Sequence, residues 1–543
     1  MSIKRKFALS PAMPRLFIAL VASVAALGMS AADAERTRLL VGIVVDGLDT
    51  EYIDLLRERF GEGGFRRLER DGAVILNADY GPGLDAAAAT ATFVSGAAPS
   101  LNGIAGDRRY DRERLRETDI YADQTILGNY TTTGFSPAAL RVSTFADEAR
   151  IAAGGVNVVY AVAPTPAQAI ALAGHAANAA LWLDPKTGNW ASSTYYKEMP
   201  VAVATRNRTV PLSARLDTMS WTPSLQPDMY PALPDHLQRY PFRYVFPRGN
   251  TQRLDMFMNS PLVNREVTTV AADLLSTLRV GQHEGVTDVL NLGYSLRPYN
   301  YGKSTDTRVE LMDAYIKLDR HLEQLFADID RRVGLDNTVV VLAATPPRRQ
   351  SRRDDEQYGI PYGEFSTRKA VSLLNMYLIA VYGNGDYVTA YHRGQFFLNH
   401  RLLKEKQLDE RDVRRQAASF LVKMTGVDRV HTFDDIVEGR AGEEPEALRR
   451  NTPVSTAGDL MLTVAPGFEV IDDFNNAPSG TRVPMVERTA ATTAPVYIMA
   501  PTVASQTVGT VVDARAIAPT VCSILRIRSP NGAAAAPLHL LKK

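Results

Sequence analysis

The chain has 543 residues, of which 45% are hydrophobic, and its formal net charge at pH 7 is +1. A near-neutral chain of this length is typical of a large globular protein and gives no electrostatic basis for binding nucleic acid or a charged membrane surface. The single cysteine, Cys522, excludes an internal disulfide framework, and its apolar neighbours predict a packed thiol.

The start of the chain has the pattern of an export signal. Basic residues precede an apolar stretch at 16–29, which is too short to cross a bilayer comfortably. An Ala-Asp-Ala run ending at Ala34 matches a cleavage site, so residues 1–34 are predicted to be a signal peptide. We therefore expect an exported, soluble and periplasmic protein that begins near Glu35 and has no stable membrane insertion. The alternative is an uncleaved membrane anchor.

The first element after this signal is the apolar run Leu39–Asp46, which predicts a strand buried on both faces of a parallel sheet. It ends in the carboxylate of Asp46, and open α/β sheets hold their ligands at the carboxyl ends of strands. Asp46 is therefore a candidate metal ligand. The alternative is that it caps the helix predicted to follow.

Strand-like and helix-like runs alternate further along, which favours an α/β fold. Strands are predicted at 155–162, 286–294 and 337–344, and a long amphipathic helix is predicted at 309–333.

The remaining stretches predict additions to one large domain that spans residues 35–543. Residues 107–265 are rich in proline, tyrosine and arginine, and we interpret them as cap insertions over the ligand crevice. A second insertion is predicted at about 387–458.

Several short segments follow one another in an order that is familiar from a known family. They are Val44-Val45-Asp46 and residues 60–65, 95–104, 136–147, 173–175, 182–196, 313–319 and 516–525. In their order and their local sequence, these segments resemble the exported, threonine-nucleophile alkaline phosphatases of the alkaline phosphatase superfamily, which are relatives of the type I phosphodiesterase/nucleotide pyrophosphatases. The resemblance implies a mostly parallel central sheet flanked by helices, with cap insertions.

The resemblance also implies a site in which two zinc ions are held by about three carboxylates and three histidines. Asp46 matches the first of these carboxylates. The nucleophilic threonine corresponds to Ala86, whose methyl group cannot attack phosphorus. Thr90 and Thr92 carry hydroxyls nearby, but we expect the helix to point them elsewhere.

The other positions of the family's site correspond to residues that lack the required chemistry. The D-x-x-x-H ligands correspond to Pro298 and Gly302, the D-H-G triplet to Thr345-Pro346-Pro347, the last histidine to Pro484, the asparagine to Asp107 and the K-x-R pair to Thr165 and Ala167. The charge of Asp107 would repel a phosphoryl oxygen. None of the eight histidines occurs in a D-x-x-x-H or a D-H-G pattern, so none is assigned to zinc. They are His175, His236, His283, His321, His392, His400, His431 and His539.

We therefore predict an exported pseudoenzyme with no catalytic residue and no expected zinc cofactor. Asp46 is the only matching metal ligand, is insufficient alone, and is expected to satisfy backbone donors at the strand end. The protein would bind a ligand or protein partner that the sequence does not identify. Residues 348–353, rich in arginine, either make the crevice basic or form a solvated loop. The alternative is an active metal-dependent phosphomonoesterase or phosphodiesterase with a rearranged site.

Overall fold

The computed structural model describes residues 37–196, 199–231, 241–302, 307–346, 359, 362–438, 443–465, 467–474 and 493–542. The predicted signal peptide, the arginine-rich segment 348–353 and Pro484 lie outside these residues. Among the helices that the model describes, none is both long and apolar enough to span a bilayer.

The secondary-structure elements are numbered here in chain order. The strands are β1 (Leu39–Asp46), β2 (Ala73–Asp79), β3 (Arg108–Asp111), β4 (Arg116–Asp119), β5 (Gly128–Asn129), β6 (Val159–Val162), β7 (Ala179–Leu183), β8 (Trp190–Ser193), β9 (Ser220–Trp221), β10 (Tyr244–Val245), β11 (Asp288–Ser295), β12 (Thr338–Ala344), β13 (Gly363–Ser366), β14 (Val388–His392), β15 (Gln395–Leu398), β16 (Val427–Thr432), β17 (Leu460–Val464), β18 (Phe468–Ile471), β19 (Thr493–Met499) and β20 (Gln506–Asp513). The α-helices are α1 (Thr50–Leu56), α2 (Phe65–Asp71), α3 (Ala86–Ser95), α4 (Pro99–Asn102), α5 (Phe145–Ala152), α6 (Pro166–Ala173), α7 (Val201–Thr209), α8 (Leu212–Arg215), α9 (Arg253–Met258), α10 (Leu262–Thr277), α11 (Arg308–Arg332), α12 (Thr367–Tyr382), α13 (His400–Glu405), α14 (Glu410–Leu421), α15 (Phe433–Glu438), α16 (Glu443–Asn451) and α17 (Ile517–Leu525).

A ten-stranded sheet forms the centre of the molecule, in the order β20-β2-β19-β12-β1-β11-β6-β7-β8-β5. The middle strand β1 is parallel to both of its neighbours, β11 and β12, and every residue of β1 is buried. Parallel pairing continues through β6 and β7, whereas β19, β8 and β5 run antiparallel to their neighbours. This mixed, mostly parallel sheet flanked by helices confirms the predicted α/β fold.

The longest predicted elements agree with the structure to within a few residues. The amphipathic pattern that predicted a helix at 309–333 corresponds to α11, which buries Leu318, Leu322 and Ile329 against the sheet. Cys522 in α17 is buried, and this burial raises the pKa of its thiol to about 12. The cysteine is thus a packed core residue.

The first predicted insertion, 107–265, does not lie wholly outside the sheet. Strands β5, β6, β7 and β8 of the central sheet fall within this range, and the hairpin β3-β4 precedes them. A continuous insertion was therefore the wrong description. The strand predicted at 155–162 corresponds to β6, whereas β5, β7 and β8 have only two to five residues and carry little hydrophobic periodicity.

The second predicted insertion is part of a larger unit, residues 363–474, which we call the cap. A four-stranded antiparallel sheet, in the order β14-β15-β17-β16, packs there on α12 and α14. Leu374, Phe396 and Leu421 belong to a hydrophobic core that is separate from the core around the central sheet. The cap therefore has a packed interior of its own.

Candidate functional site

Three neighbouring strands end together at one edge of the central sheet. The Leu296 amide donates to the carbonyl of Asp46 at 2.7 Å, and the Thr345 amide donates to the carbonyl of Val45 at 3.0 Å. These bonds extend the pairing of β1 with β11 and β12 past their last residues. Asp46, Leu296 and Thr345, taken from three distant parts of the sequence, therefore lie side by side at this edge, and Pro298 follows Leu296 by two residues. We call the space at these strand ends the crevice.

The Asp46 carboxylate, only 6% exposed, is engaged by side chains of the crevice. Oδ2 accepts hydrogen bonds from Nε of Arg297 at 3.0 Å and from Nη2 at 2.8 Å, and Oδ1 accepts one from the Thr345 hydroxyl at 2.9 Å. The negative charge of Asp46 raises the pKa of Arg297, against the effect of burial. We had expected the Asp46 carboxylate to satisfy backbone donors, but within the described residues it accepts only from these side chains. The residue that caps α1 is Asp49.

Ala86, at the position that the resemblance assigns to the nucleophile, is the first residue of α3. The residue before it, Asp85, caps the helix: its Oδ1 accepts from the Ala88 amide at 2.8 Å, and its Oδ2 accepts from the Asp107 amide at 2.9 Å. The N-terminus of a helix attracts anions. Here the carboxylate of Asp85 takes that place.

An arginine from the cap reaches the same helix end. Arg393, in the turn between β14 and β15, places Nη2 at 2.5 Å from Oδ2 of Asp85 and Nη1 at 3.7 Å from Oδ1 of Asp107. Its guanidinium lies so close to Gly106 that a Cβ there would be 1.4 Å from Nη1. Burial alone would raise the pKa of Asp85, but Arg393 and the backbone donors together lower it.

The two arginines therefore belong to one charged crevice. The charges of Asp107 and Asp85 both contribute to the raised pKa of Arg297, although its direct partner is Asp46. Three carboxylates and two guanidinium groups thus share this part of the molecule, with ion pairs between the sheet edge and the cap.

The remaining predicted positions bring no further polar group to the crevice. The Thr90 hydroxyl donates to the Ala86 carbonyl at 2.6 Å inside α3, so it is held within its own helix as expected. Thr165 caps α6, where Ala167 is also located. Gly302 lies in the segment after β11.

Four of the histidines in the described residues, His175, His283, His392 and His400, pair with carboxylates. His175 contacts Asp147 at 3.1 Å, and His283 contacts Asp288 at 2.6 Å, both by their Nδ1 atoms. Across the part of the chain that the structure describes, no group of three or more His, Cys, Asp and Glu side chains is arranged to hold a metal ion. Among the described residues, the side chains that contact the Asp46 carboxylate are a guanidinium and a hydroxyl, and neither is a usual zinc ligand.

Sequence reasoning missed three residues of this crevice: Asp85, Arg297 and Arg393. Asp85 could have been found, because an aspartate before an alanine-rich helical run is a capping signal. Arg297 directly precedes Pro298, a position that we did examine. Nothing in the sequence around Arg393 indicates that it belongs to the crevice, because only the folding of the cap brings it next to α3.

The mixed sheet with a polar crevice at its strand ends and a cap above it defines the chain as a phosphoesterase-type scaffold of the alkaline phosphatase superfamily. The model of the type I phosphodiesterase / nucleotide pyrophosphatase family matches residues 40–489, and the chain belongs to this family.

Individual relatives cover nearly the same length. The chain is 26% identical over 527 residues to the alkaline phosphatase PafA of Elizabethkingia meningoseptica, covering 93% of this chain and 94% of PafA. It is 28% identical to the alkaline phosphatase PhoV of Synechococcus elongatus over 57% of this chain and 58% of PhoV. The crystal structure of wild-type PafA superimposes with a TM-score of 0.81 at 25% identity, over 93% of this chain and 98% of that one.

Proposed function

We propose that this chain is a catalytically inactive member of its phosphoesterase family, a pseudophosphatase that acts by binding a ligand or a protein partner. The observation that supports the proposal most directly is the ion pair of Asp46 with Arg297. A guanidinium on this carboxylate replaces the positive charge that a metal would supply and blocks the approach of a metal ion. A metal ion at Oδ2 of Asp46 would have to displace Arg297, and one at Oδ1 would have to displace the Thr345 hydroxyl.

The helix end at Ala86 supports the same proposal by its chemistry. Phosphoryl transfer needs an activated nucleophile and positive charge around the phosphoryl oxygens. Position 86 offers a methyl group, and the carboxylates of Asp85 and Asp107 stand beside it. Two negative charges there repel a phosphate dianion, while Arg393 is already engaged by both.

The competing function is an active phosphomonoesterase or phosphodiesterase with a rearranged site. The names of PafA and PhoV favour it, since both relatives are called alkaline phosphatases. Such an enzyme would require Arg297 to leave Asp46 and other residues to complete a metal site.

Metal content and turnover distinguish these two functions. We expect the purified protein to contain no stoichiometric zinc and, with zinc added, to hydrolyse aryl phosphate monoesters and diesters no faster than a blank without protein. Ala86→Thr alone should not restore hydrolysis, because nothing nearby would activate the hydroxyl. Asp46→Asn is the matched variant. If the wild type shows zinc-dependent turnover and Asp46→Asn does not, the proposal that the protein is catalytically inactive is wrong.

We also propose that the protein is exported, on the basis of the pattern in residues 1–34. The N-terminal sequence of protein taken from the periplasmic fraction should begin near Glu35. A mature chain that retains residues 16–29 would indicate a membrane anchor instead.

A further inference from the structure

A second cavity lies at the same edge of the central sheet but at different strands. It has a volume of about 120 Å³ and opens at the carboxyl ends of β2 and β20, where Asp79 and Asp513 are neighbours in register. Helix α16 of the cap forms its other wall through Arg450. The crevice around Asp46 lies at β1, β11 and β12, so the cavity is a separate site.

Two buried hydroxyl groups line this cavity. Thr92 is 1% exposed and Tyr80 is 5% exposed. Within the described residues, the buried Thr92 hydroxyl has no hydrogen-bond partner. Buried hydroxyl groups are rarely left unsatisfied in folded proteins. Their position at a cavity wall points to a polar occupant.

Two carboxylates and two guanidinium groups line the cavity. Arg515 binds Asp513 through Nε at 2.9 Å and Nη2 at 2.5 Å, so these two neutralise each other. Asp79 accepts only the Gly81 amide, at 2.7 Å, among the described residues. Arg450 is exposed and forms no ion pair within that same part of the chain. Arg515 also faces the charge of Asp79, and Arg450 faces the charge of Asp513, so all four groups form one charged cluster. Within the described residues, Asp79 and Arg450 are the two members of this cluster that form no ion pair by direct contact.

We propose that this cavity binds a small α-amino acid. The ligand carboxylate would lie on Arg450, its ammonium group on Asp79, and the hydroxyls of Thr92 and Tyr80 would complete the hydrogen bonds. With a volume of about 120 Å³, the cavity is several times larger than one water molecule requires and has room for a molecule the size of glycine, alanine or serine. The ligand would connect the sheet edge to the cap. This inference does not depend on whether the phosphatase site is active.

Calorimetric or NMR titration of the full-length protein with glycine, L-alanine and L-serine tests the proposal. We expect saturable binding at about 10 mM or below, weakened about tenfold or more by Arg450→Gln and by Asp79→Asn. Thr92→Val removes only the orphan hydroxyl, so it should fold normally and weaken binding about threefold. Arg449→Gln, an exposed neighbour on the same helix, is the matched control and should change the affinity less than about twofold.

Titration with acetate, methylammonium and inorganic phosphate separates an amino-acid site from simpler sites. Each should bind at least about tenfold more weakly than glycine, because each satisfies only one side of the cavity. The proposal is wrong if no amino acid binds at about 50 mM, if acetate or phosphate binds as tightly as glycine, or if Arg450→Gln leaves the affinity unchanged.

Discussion

At the scale of single residues, the chemistry of the crevice is decided by what neutralises Asp46. A carboxylate buried at a strand end is unfavourable unless a positive or hydrogen-bonding partner accompanies it. Arg297 and the Thr345 hydroxyl provide these partners from within the chain. Because the Arg297 side chain is 42% exposed, solvent weakens the pair without removing it.

Replacing Arg297 with methionine should lower the free energy of unfolding by about 1–3 kcal/mol, because Asp46 would keep only its bond to Thr345. Urea denaturation measures the change. In a double-mutant cycle, adding Asp46→Leu to Arg297→Met should recover part of the loss. Arg401→Met, at a side chain that is 89% exposed, is the control and should cost less than about 0.5 kcal/mol. A loss equal to that of the control would mean that the ion pair contributes nothing.

The pair of His175 and Asp147 should make stability depend on pH. The hydrogen bond to Asp147 raises the pKa of His175 above its ordinary value of 6.5, against the effect of burial. A group whose pKa is higher in the folded than in the unfolded protein stabilises the fold when it is protonated. This stabilisation is complete at pH values below the pKa of the unfolded state, and it is lost as the pH rises through the pKa of the folded state. Burial alone would raise the pKa of Asp147, but His175 and backbone donors lower it, so the carboxylate's contribution is lost only in acid.

The variant His175→Gln tests this pH dependence. The difference in unfolding free energy between wild type and variant should be larger at about pH 5.5 than at about pH 8.5. Denaturant titrations of both proteins at the two pH values measure it. An equal difference at both values would show that the charged histidine is not the stabilising form.

At the scale of elements, α3 joins the central sheet to the cap through its N-terminus. Asp85 has two functions there: it accepts backbone amides at the helix end, and it pairs with Arg393 of the cap. The close approach of Arg393 to Gly106 requires glycine at that position, because any side chain would occupy the space of the guanidinium. The contact therefore depends on Asp85, Gly106 and Arg393, and it forms only when the cap is in place.

Substitutions at this contact should follow a graded order. Asp85→Asn keeps an acceptor for the helix amides and loses the ion pair, as Arg393→Gln does, so both should cost about 1–2 kcal/mol. Asp85→Ala also loses the helix cap and should cost about 1 kcal/mol more. Denaturation gives the order, and hydrogen exchange in the β14–β15 hairpin should be faster in Arg393→Gln. Equal costs for Asp85→Asn and Asp85→Ala would exclude the capping contribution.

At the scale of the whole molecule, the protein contains two packed interiors, one around the central sheet and one in the cap. The contacts between them include the ion pair of Asp85 with Arg393. Large chains with separate cores often depart from two-state unfolding. We therefore expect the cap to unfold at a lower denaturant concentration than the sheet.

The variant Phe396→Ala should destabilise the cap selectively. Phe396 is fully buried in the cap core, so its truncation should cost about 3–5 kcal/mol. The three tryptophans, Trp182, Trp190 and Trp221, lie outside the cap, so their fluorescence follows the rest of the molecule while circular dichroism follows both parts.

The expected result is an earlier circular-dichroism transition in Phe396→Ala with an unchanged fluorescence transition. Leu292→Ala, in the buried strand β11, is the matched control and should shift the fluorescence transition. Coincident shifts of both signals in Phe396→Ala would show that the cap and the sheet unfold as one unit.

The sequence by itself determined the elements whose information is local. The apolar run of β1 and the helical spacing of α11 predicted both elements, because burial on one or both faces imposes a period that is visible in the chain. It also indicated the family, through segments such as 60–65. The structure explains that segment: Asp319 accepts the amides of Gly61 and Phe65 at 2.8 and 2.9 Å, and a Cβ at Gly64 would lie 2.2 Å from its carboxylate.

Only the tertiary structure decided which charges meet in the crevice. Asp46 and Arg297 are 251 residues apart, and Asp85 and Arg393 come from different packed units. Neither arginine has a periodicity or spacing that links it to its partner, because a long-range ion pair depends on where two segments converge. The short strands β5, β7 and β8 were obscured for a related reason: two to five residues carry too little pattern, and only their pairing in the series β6-β7-β8-β5 determines that they belong to the sheet.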